Sequence, residues 1–458
     1  MTGRPRALVV GAGIAGLTAA VDLVDGGRFD VEVWEADDRV GGKIRTSAFA
    51  GIPHVDEGAD AYLVRVPHAA ELAARLGVTD TTAPTGARAM IWNGRMHEIP
   101  SEVLLGVPAA VRPFVTTGLL SWRGKLRAAA EPFLPRTDAE DSIGRLIRAR
   151  FGDEVHDRLV DALIGSIYAA DTDRSSLQAV PQLAGLASKH RSLLLGGRSA
   201  RARAAAAPSG PIFGAPRTGI GGLTAAAADH IERAGGTIQL GRTAGAIDAD
   251  GAAWRVDDER FDVIVLATPA AATAPLLASV SADAAAALDT IEHVDVIMVR
   301  LTVPAGGIPE RIIAGHSGYL VPKSRQRYVT AVSFASQKWA HWQPANGGHL
   351  LRMSLGRDGL PVAHLDDEAA VAAVITDAEA HLGVTLQPDD VSVTRWSGAF
   401  PQYRPFHHRL VERIDAALPP GVALAGASYR GIGIPACVAD GRRAALQVST
   451  WHDDEMLA

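Results

Sequence analysis

The chain has 458 residues, 47% of them hydrophobic, a formal net charge of −6 and a single cysteine, Cys437. That length exceeds one compact core, so more than one domain is expected. The acidic balance argues against nucleic acid as a partner, and one cysteine rules out an internal disulfide and argues against a cysteine-ligated metal.

The first element is a short apolar strand, Arg6 to Val10, running into Gly11-Ala12-Gly13-Ile14-Ala15-Gly16 and then a helix. No secretory leader is expected ahead of it. Glu35 ends the next strand, about 20 residues past the glycines, where an acid can accept from ribose hydroxyls. Strand, glycine turn, helix and acid together predict a βαβ unit that holds the ADP half of a dinucleotide. Gly11 permits the tight turn, Gly13 the approach of backbone to a pyrophosphate, and Gly16 the packing of helix on strand. The free N–H groups at the helix N-terminus face the phosphate charge.

After Glu35 comes Ala36-Asp-Asp-Arg39-Val-Gly41-Gly42-Lys43-Ile-Arg45-Thr46. This stretch resembles the R-x-G-G-[RK] signature of the flavin oxidoreductases of the amine oxidase, phytoene desaturase and protoporphyrinogen oxidase superfamily. There the second glycine pair lets the chain cross close to the FAD pyrophosphate. Many members carry Arg where Lys43 stands, so a bidentate contact becomes a point charge. Asp56-Glu57-Gly58-Ala59-Asp60-Ala61-Tyr62 is similar to the family's small-residue turn past the flavin ring.

Further along, Ile91 to Ile99 reads as a hairpin turning at Asn93-Gly94. Ser142 to Arg150 and Glu154 to Ile167 read as helices, the first capped by Ser142 and stopped by Gly152. Gly196 to Gly210, poor in apolar bulk, reads as a mobile, solvated loop. Residues 217 to 268 return to α/β character, with a helix to about Ala234 and strands at 237–240 and near 261–267. The uncharged stretch Val263 to Ala282 has the length of a membrane span, but it opens as a β-branched strand and contains Pro269 and Pro275. A strand and a loop are expected there, not a transmembrane segment. Near the C-terminus a strand, Val422 to Gly426, leads into a glycine-rich bend and a helix from Asp440 to Thr450. A helix N-terminus there would stabilise the charge that a flavin gains on reduction.

Three separated motifs narrow the resemblance. Leu424-Ala-Gly426-Ala427-Ser-Tyr429-Arg430-Gly-Ile432-Gly433-Ile434-Pro-Ala-Cys437 is similar to the C-terminal signature of the oxygen-dependent coproporphyrinogen III oxidase/protoporphyrinogen oxidase family. Arg395-Trp396 through Pro401-Gln402-Tyr403, and Gly165 through Tyr168 to Asp171, resemble two further signatures of that family.

The resemblance implies a mixed α/β, α+β fold. A Rossmann-like two-dinucleotide FAD-binding domain would be built from 1–84, 213–290 and 391–458. A helical, membrane-like insertion over 85–212 would line the active site, and 291–390 would form the inserted substrate-binding domain. FAD would be touched by Gly11, Ala12, Gly13, Ile14, Ala15, Gly16, Glu35, Ala36, Gly42, Lys43, Gly58, Ala59, Asp60 and Ala61. Ala244, Trp396, Gly426, Ala427, Ile432, Gly433 and Ile434 would complete that site. Arg88, Tyr168, Arg45 and Arg430 are the substrate-side candidates, with Arg65 behind them, because a substrate with four propionates calls for cations at the rim. Some relatives carry a Lys near Val66, and this chain does not.

The activity so implied is FAD-dependent oxidation of coproporphyrinogen III by O2, giving H2O2, in cytoplasmic haem synthesis. A transient contact with a ferrochelatase-type iron-inserting enzyme follows as an expectation. A protoporphyrinogen IX oxidase, another flavin amine oxidase or carotenoid desaturase, and a catalytically silent haem-pathway scaffold are the alternatives. Cys437 and the pair His407-His408 are read as structural.

Overall fold

The computed structural model describes residues 4–137, 141–205 and 210–457. A five-stranded parallel sheet forms the dinucleotide half, in the order 237–239, 30–34, 6–10, 263–266, 422–424. Both of its faces are covered. Ala7 and Val9 point into one core with the helix Ile14–Gly26, while Leu8 and Val10 point into a second core with Leu276, Leu277 and Leu288. Burial on both faces explains why these strands are continuously apolar rather than alternating.

A second, seven-stranded sheet runs 390–401, 293–303, 349–355, 329–334, 316–320, 88–92, 96–98. It is antiparallel except for the parallel pair 316–320 and 88–92. The hairpin 88–98 therefore belongs to this sheet. So does the strand Asp390–Pro401, which pairs with 293–303 along its whole length. Two of the four expected boundaries, at 84 and 390, separate strands that share this sheet, because these pairings join strands more than 80 residues apart and no local pattern announces them.

The helical insertion has its own core around Phe151, Leu159, Val160 and Leu183. Ser142 caps Ile143–Phe151 by accepting from the Arg145 N–H, and Gly152 ends the helix at φ +87. The following helix is a ten-residue π-helix, His156–Gly165. Two expectations change. The stretch read as a loop from Gly196 is helical over Leu193–Ala205, since its Ala and Arg residues favour helix and Leu193 and Leu194 anchor the first turn in the core; residues 206–209 lie outside the described residues. Beyond the strand Val263–Leu266 the chain forms a short helix, Ala270–Leu277, rather than a loop. Among the described residues no helix is long and apolar enough to cross a membrane.

Candidate active site

The glycine turn separates into residues the fold needs and a residue it does not. Gly11 has φ +101 and donates its N–H to Trp34 O at 2.7 Å. A Cβ on Gly16 would lie 2.0 Å from the Gly11 carbonyl oxygen, so that glycine lets the helix sit on the strand. Gly13, the N-cap of the helix, has φ −71, which any residue adopts, and a Cβ there would meet no protein atom within 4 Å. Nothing in the fold itself requires glycine at 13. Ala12, Ile14 and Ala15 are buried beneath this turn.

Gly41 and Gly42, at φ +105 and +55, complete the cradle. The Gly41 N–H donates to Ala12 O at 2.8 Å, and a Cβ on Gly42 would sit 3.2 Å from Gly13 Cα. The two glycine segments thus meet at one helix N-terminus. Arg39 holds the second one by donating to Val40 O, Gly42 O and Ile44 O. The Glu35 carboxylate accepts from Ala12 N–H at 2.7 Å and Asp37 N–H at 3.0 Å, which aims it while leaving each oxygen a free lone pair. Ala36 lies exposed beside it, and Ala244 is buried in the core behind Trp34.

The turn at 56–61 is held from the seven-stranded sheet. Trp396 Nε1 donates to Glu57 O at 3.2 Å, and a Cβ on Gly58 would meet the Trp396 ring at 3.5 Å. Arg352 donates to Gly58 O and pairs with Asp60 at 2.8 Å; Lys338 pairs with Asp60 at 2.9 Å. Burial would raise the Asp60 carboxyl, but the Lys338 and Arg352 charges hold it well below the usual carboxylate range. The Asp60 side chain is therefore committed to Lys338 and Arg352. Glu57 accepts from Thr394 at 2.8 Å and lies 3.5 Å from Arg300 and 3.3 Å from Arg45. Lys43 donates to Ala399 O at 2.8 Å and to Gly398 O, tying the cradle to the same strand, and burial pushes it down to about 8.

The C-terminal bend runs from Ala425 to Gly433, and the final helix starts at Ile434, six residues before the expected Asp440. Pro435 in its first turn needs no hydrogen-bond acceptor there, which suits it to a helix start. Asp440 instead lies a turn and a half inside the helix and accepts from Gly426 N–H at 3.0 Å. Ala427, Ile432, Gly433 and Ile434 follow one another along the bend and into this N-terminus, with Gly433 exposed. Cys437 is buried, pushed up to about 12 by burial, and held as an unreactive thiol.

The substrate-side candidates fare unequally. Arg430 is committed: its guanidinium pairs with Asp440 at 3.0 Å and with Asp415, so it braces the bend instead of reaching for a substrate carboxylate. Arg45 is half exposed, at 51%, and stands beside Glu57 at the edge of the cofactor turn. Arg88 is 67% exposed at the start of strand 88–92, next to the edge strand of the large sheet, and paired with Glu98 at 2.8 Å. Arg65 is exposed and donates to Gly210 O. Tyr168 is half-buried, and its hydroxyl donates to Ala179 O at 3.1 Å. Ala169, next to it, is left-handed at φ +46 and packs with Val296, Ala399 and Trp396.

Sequence reasoning missed Arg300, Arg352 and Lys338. Arg300 and Arg352 lie directly opposite each other on adjacent strands, both buried, and the pair is tolerated because Glu57 and Asp60 face them. The signal was available: a single Arg inside an apolar strand, as in Val299-Arg300-Leu301 or Leu351-Arg352-Met353, demands a buried carboxylate.

An open glycine cradle at a helix N-terminus, an aimed acid, and a second turn crossing against the first make up a dinucleotide-binding oxidoreductase site. The model for flavin containing amine oxidoreductases matches residues 14–449, and the chain belongs to that family. Its cofactor is FAD, the flavin that the dinucleotide geometry accommodates. Within the family the chain falls in the coproporphyrinogen III oxidase/protoporphyrinogen oxidase group. It is 33% identical to the coproporphyrinogen III oxidase of Mycobacterium tuberculosis over 453 residues, covering 96% of each chain. It is 29% identical to that of Bacillus subtilis, covering 98% of this chain and 99% of that one. A crystal structure from Exiguobacterium sp. 255-15, provisionally named a protoporphyrinogen oxidase, superposes with a TM-score of 0.85 at 26% identity and covers 99% of this chain and 100% of that one.

Proposed function

We propose that the protein oxidises coproporphyrinogen III to coproporphyrin III, with O2 as acceptor and H2O2 as co-product, in cytoplasmic haem synthesis. The observation that carries this reading is the full-length likeness to coproporphyrinogen III oxidases, combined with a cradle shaped for FAD. Bound FAD supplies the acceptor for hydride from the meso carbons, which are hydridic because neighbouring pyrroles stabilise the cation left behind. Six electrons and six protons leave the macrocycle in three such steps, and three O2 become three H2O2.

The chain's own residues bind, orient and exclude water. Gly13, Gly42 and the helix N-terminus take the pyrophosphate; Glu35 takes the ribose. The Glu57–Ala61 turn, locked by Arg352, Lys338 and Trp396, offers main chain to one edge of the flavin. The bend at 426–434 offers the N-terminus of the last helix to the other. Arg45, beside the turn, is the rim cation best placed for a propionate; Arg88 and Tyr168 stand farther along the same proposal. No side-chain nucleophile is needed. Handover of the porphyrin to a ferrochelatase-type enzyme belongs to this proposal.

The likeness to the Exiguobacterium structure favours a second reading, oxidation of protoporphyrinogen IX. Aerobic turnover of the two porphyrinogens side by side, followed by porphyrin fluorescence and peroxide release, tests both. Faster oxidation of the four-propionate substrate is expected. A preference for protoporphyrinogen IX transfers the assignment to the second reading, and no oxidation of either by FAD-loaded protein refutes both.

A further inference from the structure

The bend at 426–434 is held by a residue that none of the preceding roles uses. Tyr403 lies two residues past the strand Asp390–Pro401. Its hydroxyl donates to Ala427 O at 2.6 Å and accepts from Gly431 N–H at 2.8 Å. One oxygen atom thus joins the two ends of the five-residue segment 427–431 within that bend. The ring stacks on His407, with centroids 3.9 Å apart and planes within 10°. His407 Nε2 in turn donates to Ser428 O at 3.1 Å. Burial lowers His407 to about 4, so its ring is neutral near pH 7 and the stack carries no charge into the site. Tyr403 and His407 therefore fix three main-chain points within five residues.

The same tyrosine reaches the helical insertion through its main chain. Tyr403 O accepts from Ser176 N–H at 2.7 Å, and the Ser176 hydroxyl donates to Asp141, which also accepts from Phe406 N–H. Phe406, at φ +66, is a bulky residue held in the left-handed region, and such conformations persist only where surrounding contacts over-determine them. The segment 403–407 is thus fixed on the insertion side by Ser176 and Asp141, and on the cofactor side by the bend.

We propose that Tyr403 is a positioning residue for the flavin, its hydroxyl setting the shape of the 427–431 bend and its main chain registering the helical insertion against that bend. The inference rests on the reading that the bend seats the flavin ring. Removing the hydroxyl leaves a half-buried N–H and a half-buried carbonyl without this partner while the stack on His407 remains.

The test is Tyr403→Phe in the full-length FAD-loaded protein, with Tyr319→Phe as a control for losing a buried phenol outside the bend; Tyr319, in the large sheet, bonds His381 of the helix Asp367–Leu382. Tyr403→Phe is expected to weaken FAD binding about tenfold, which is about 1.4 kcal/mol. It should also shift the visible flavin spectrum and reduction midpoint, and lower kcat for porphyrinogen with little change in KM. Tyr319→Phe should match wild type in all of these. If Tyr403→Phe does not fold, His407→Gln reports on the same brace through loss of the stack and is expected to shift the spectrum in the same direction. Wild-type FAD affinity and spectrum in a folded Tyr403→Phe, or in His407→Gln where that variant stands in, overturn the proposal. Gly433→Val separates the two levels, since a Cβ at 433 meets only Pro435, at 3.9 Å. If it abolishes FAD binding while Tyr403→Phe changes nothing, only the Tyr403 inference fails; if it too binds FAD normally, the seat of the flavin fails.

Discussion

Gly13 and Gly16 stand three residues apart in one motif, and the structure predicts opposite consequences for replacing them with alanine. At Gly16 the new Cβ would fall 2.0 Å from Gly11 O and 3.0 Å from the Ala267 side chain. The oxygen is backbone in a turn at φ +101 and cannot rotate away. Overpacking costs about 1–3 kcal/mol, against a gain of about 1 kcal/mol in helix propensity. Because a main-chain atom must move by more than an ångström, the upper end applies and a net loss of about 2 kcal/mol is expected. At Gly13 the Cβ meets nothing, φ is −71, and the loss at an N-cap is about 1 kcal/mol or less. On the proposed placement of the pyrophosphate, that Cβ enters its space, so FAD affinity should fall by about a hundredfold or more, about 2.7 kcal/mol. Denaturant unfolding of the apoprotein and FAD titration by flavin fluorescence separate the two quantities. Gly16→Ala should lose stability; Gly13→Ala should keep stability and lose FAD. Wild-type FAD affinity in Gly13→Ala would refute the cradle argument.

Arg352→Met removes a donor to Gly58 O and a partner of Asp60; it should cost about 3 kcal/mol in denaturant unfolding, and adding Asp60→Asn should cost less than the sum of the single changes. Burial raises Asp56 to about 6, despite the Thr46 hydroxyl, the Arg352 charge and the Ile220 N–H. Its folded value lies above the unfolded 3.8, so its contribution is fully present below about pH 4 and lost as pH rises through about 6. Asp56→Asn should therefore gain stability relative to wild type between pH 4 and 7, and a difference that does not change over that range contradicts the assignment. Arg45→Ala should raise KM for the four-propionate substrate about tenfold with kcat nearly unchanged, whereas Arg430→Ala should lower apoprotein stability and leave the ratio of rates for the two porphyrinogens as it was; steady-state kinetics with both substrates decides.

The dinucleotide half was legible because its signals are local. Gly11, Gly13 and Gly16 lie within one turn, Glu35 ends the adjacent strand, and Ser142 and Gly152 mark helix ends by their own chemistry. The second glycine pair at 41–42 was legible only through resemblance, and the structure supplies the reason: Gly41 and Gly42 lie on Ala12 and Gly13. What could not be read depends on pairing across long stretches of chain. The 88–98 hairpin joins the large sheet through a parallel partner at 316–320. Arg430 looked like a free cation in a glycine-rich segment until Asp415 and Asp440 were placed around it. Tyr403 was visible as part of a motif, but its hydroxyl has meaning only once the bend at 427–431 is folded over it.

The most direct test of the account is anaerobic mixing of the FAD-loaded protein with coproporphyrinogen III, followed by flavin absorbance near about 450 nm. That absorbance is expected to fall as porphyrin fluorescence appears, and to recover with release of H2O2 when O2 is admitted. A flavin that stays oxidised in the presence of coproporphyrinogen III would contradict it.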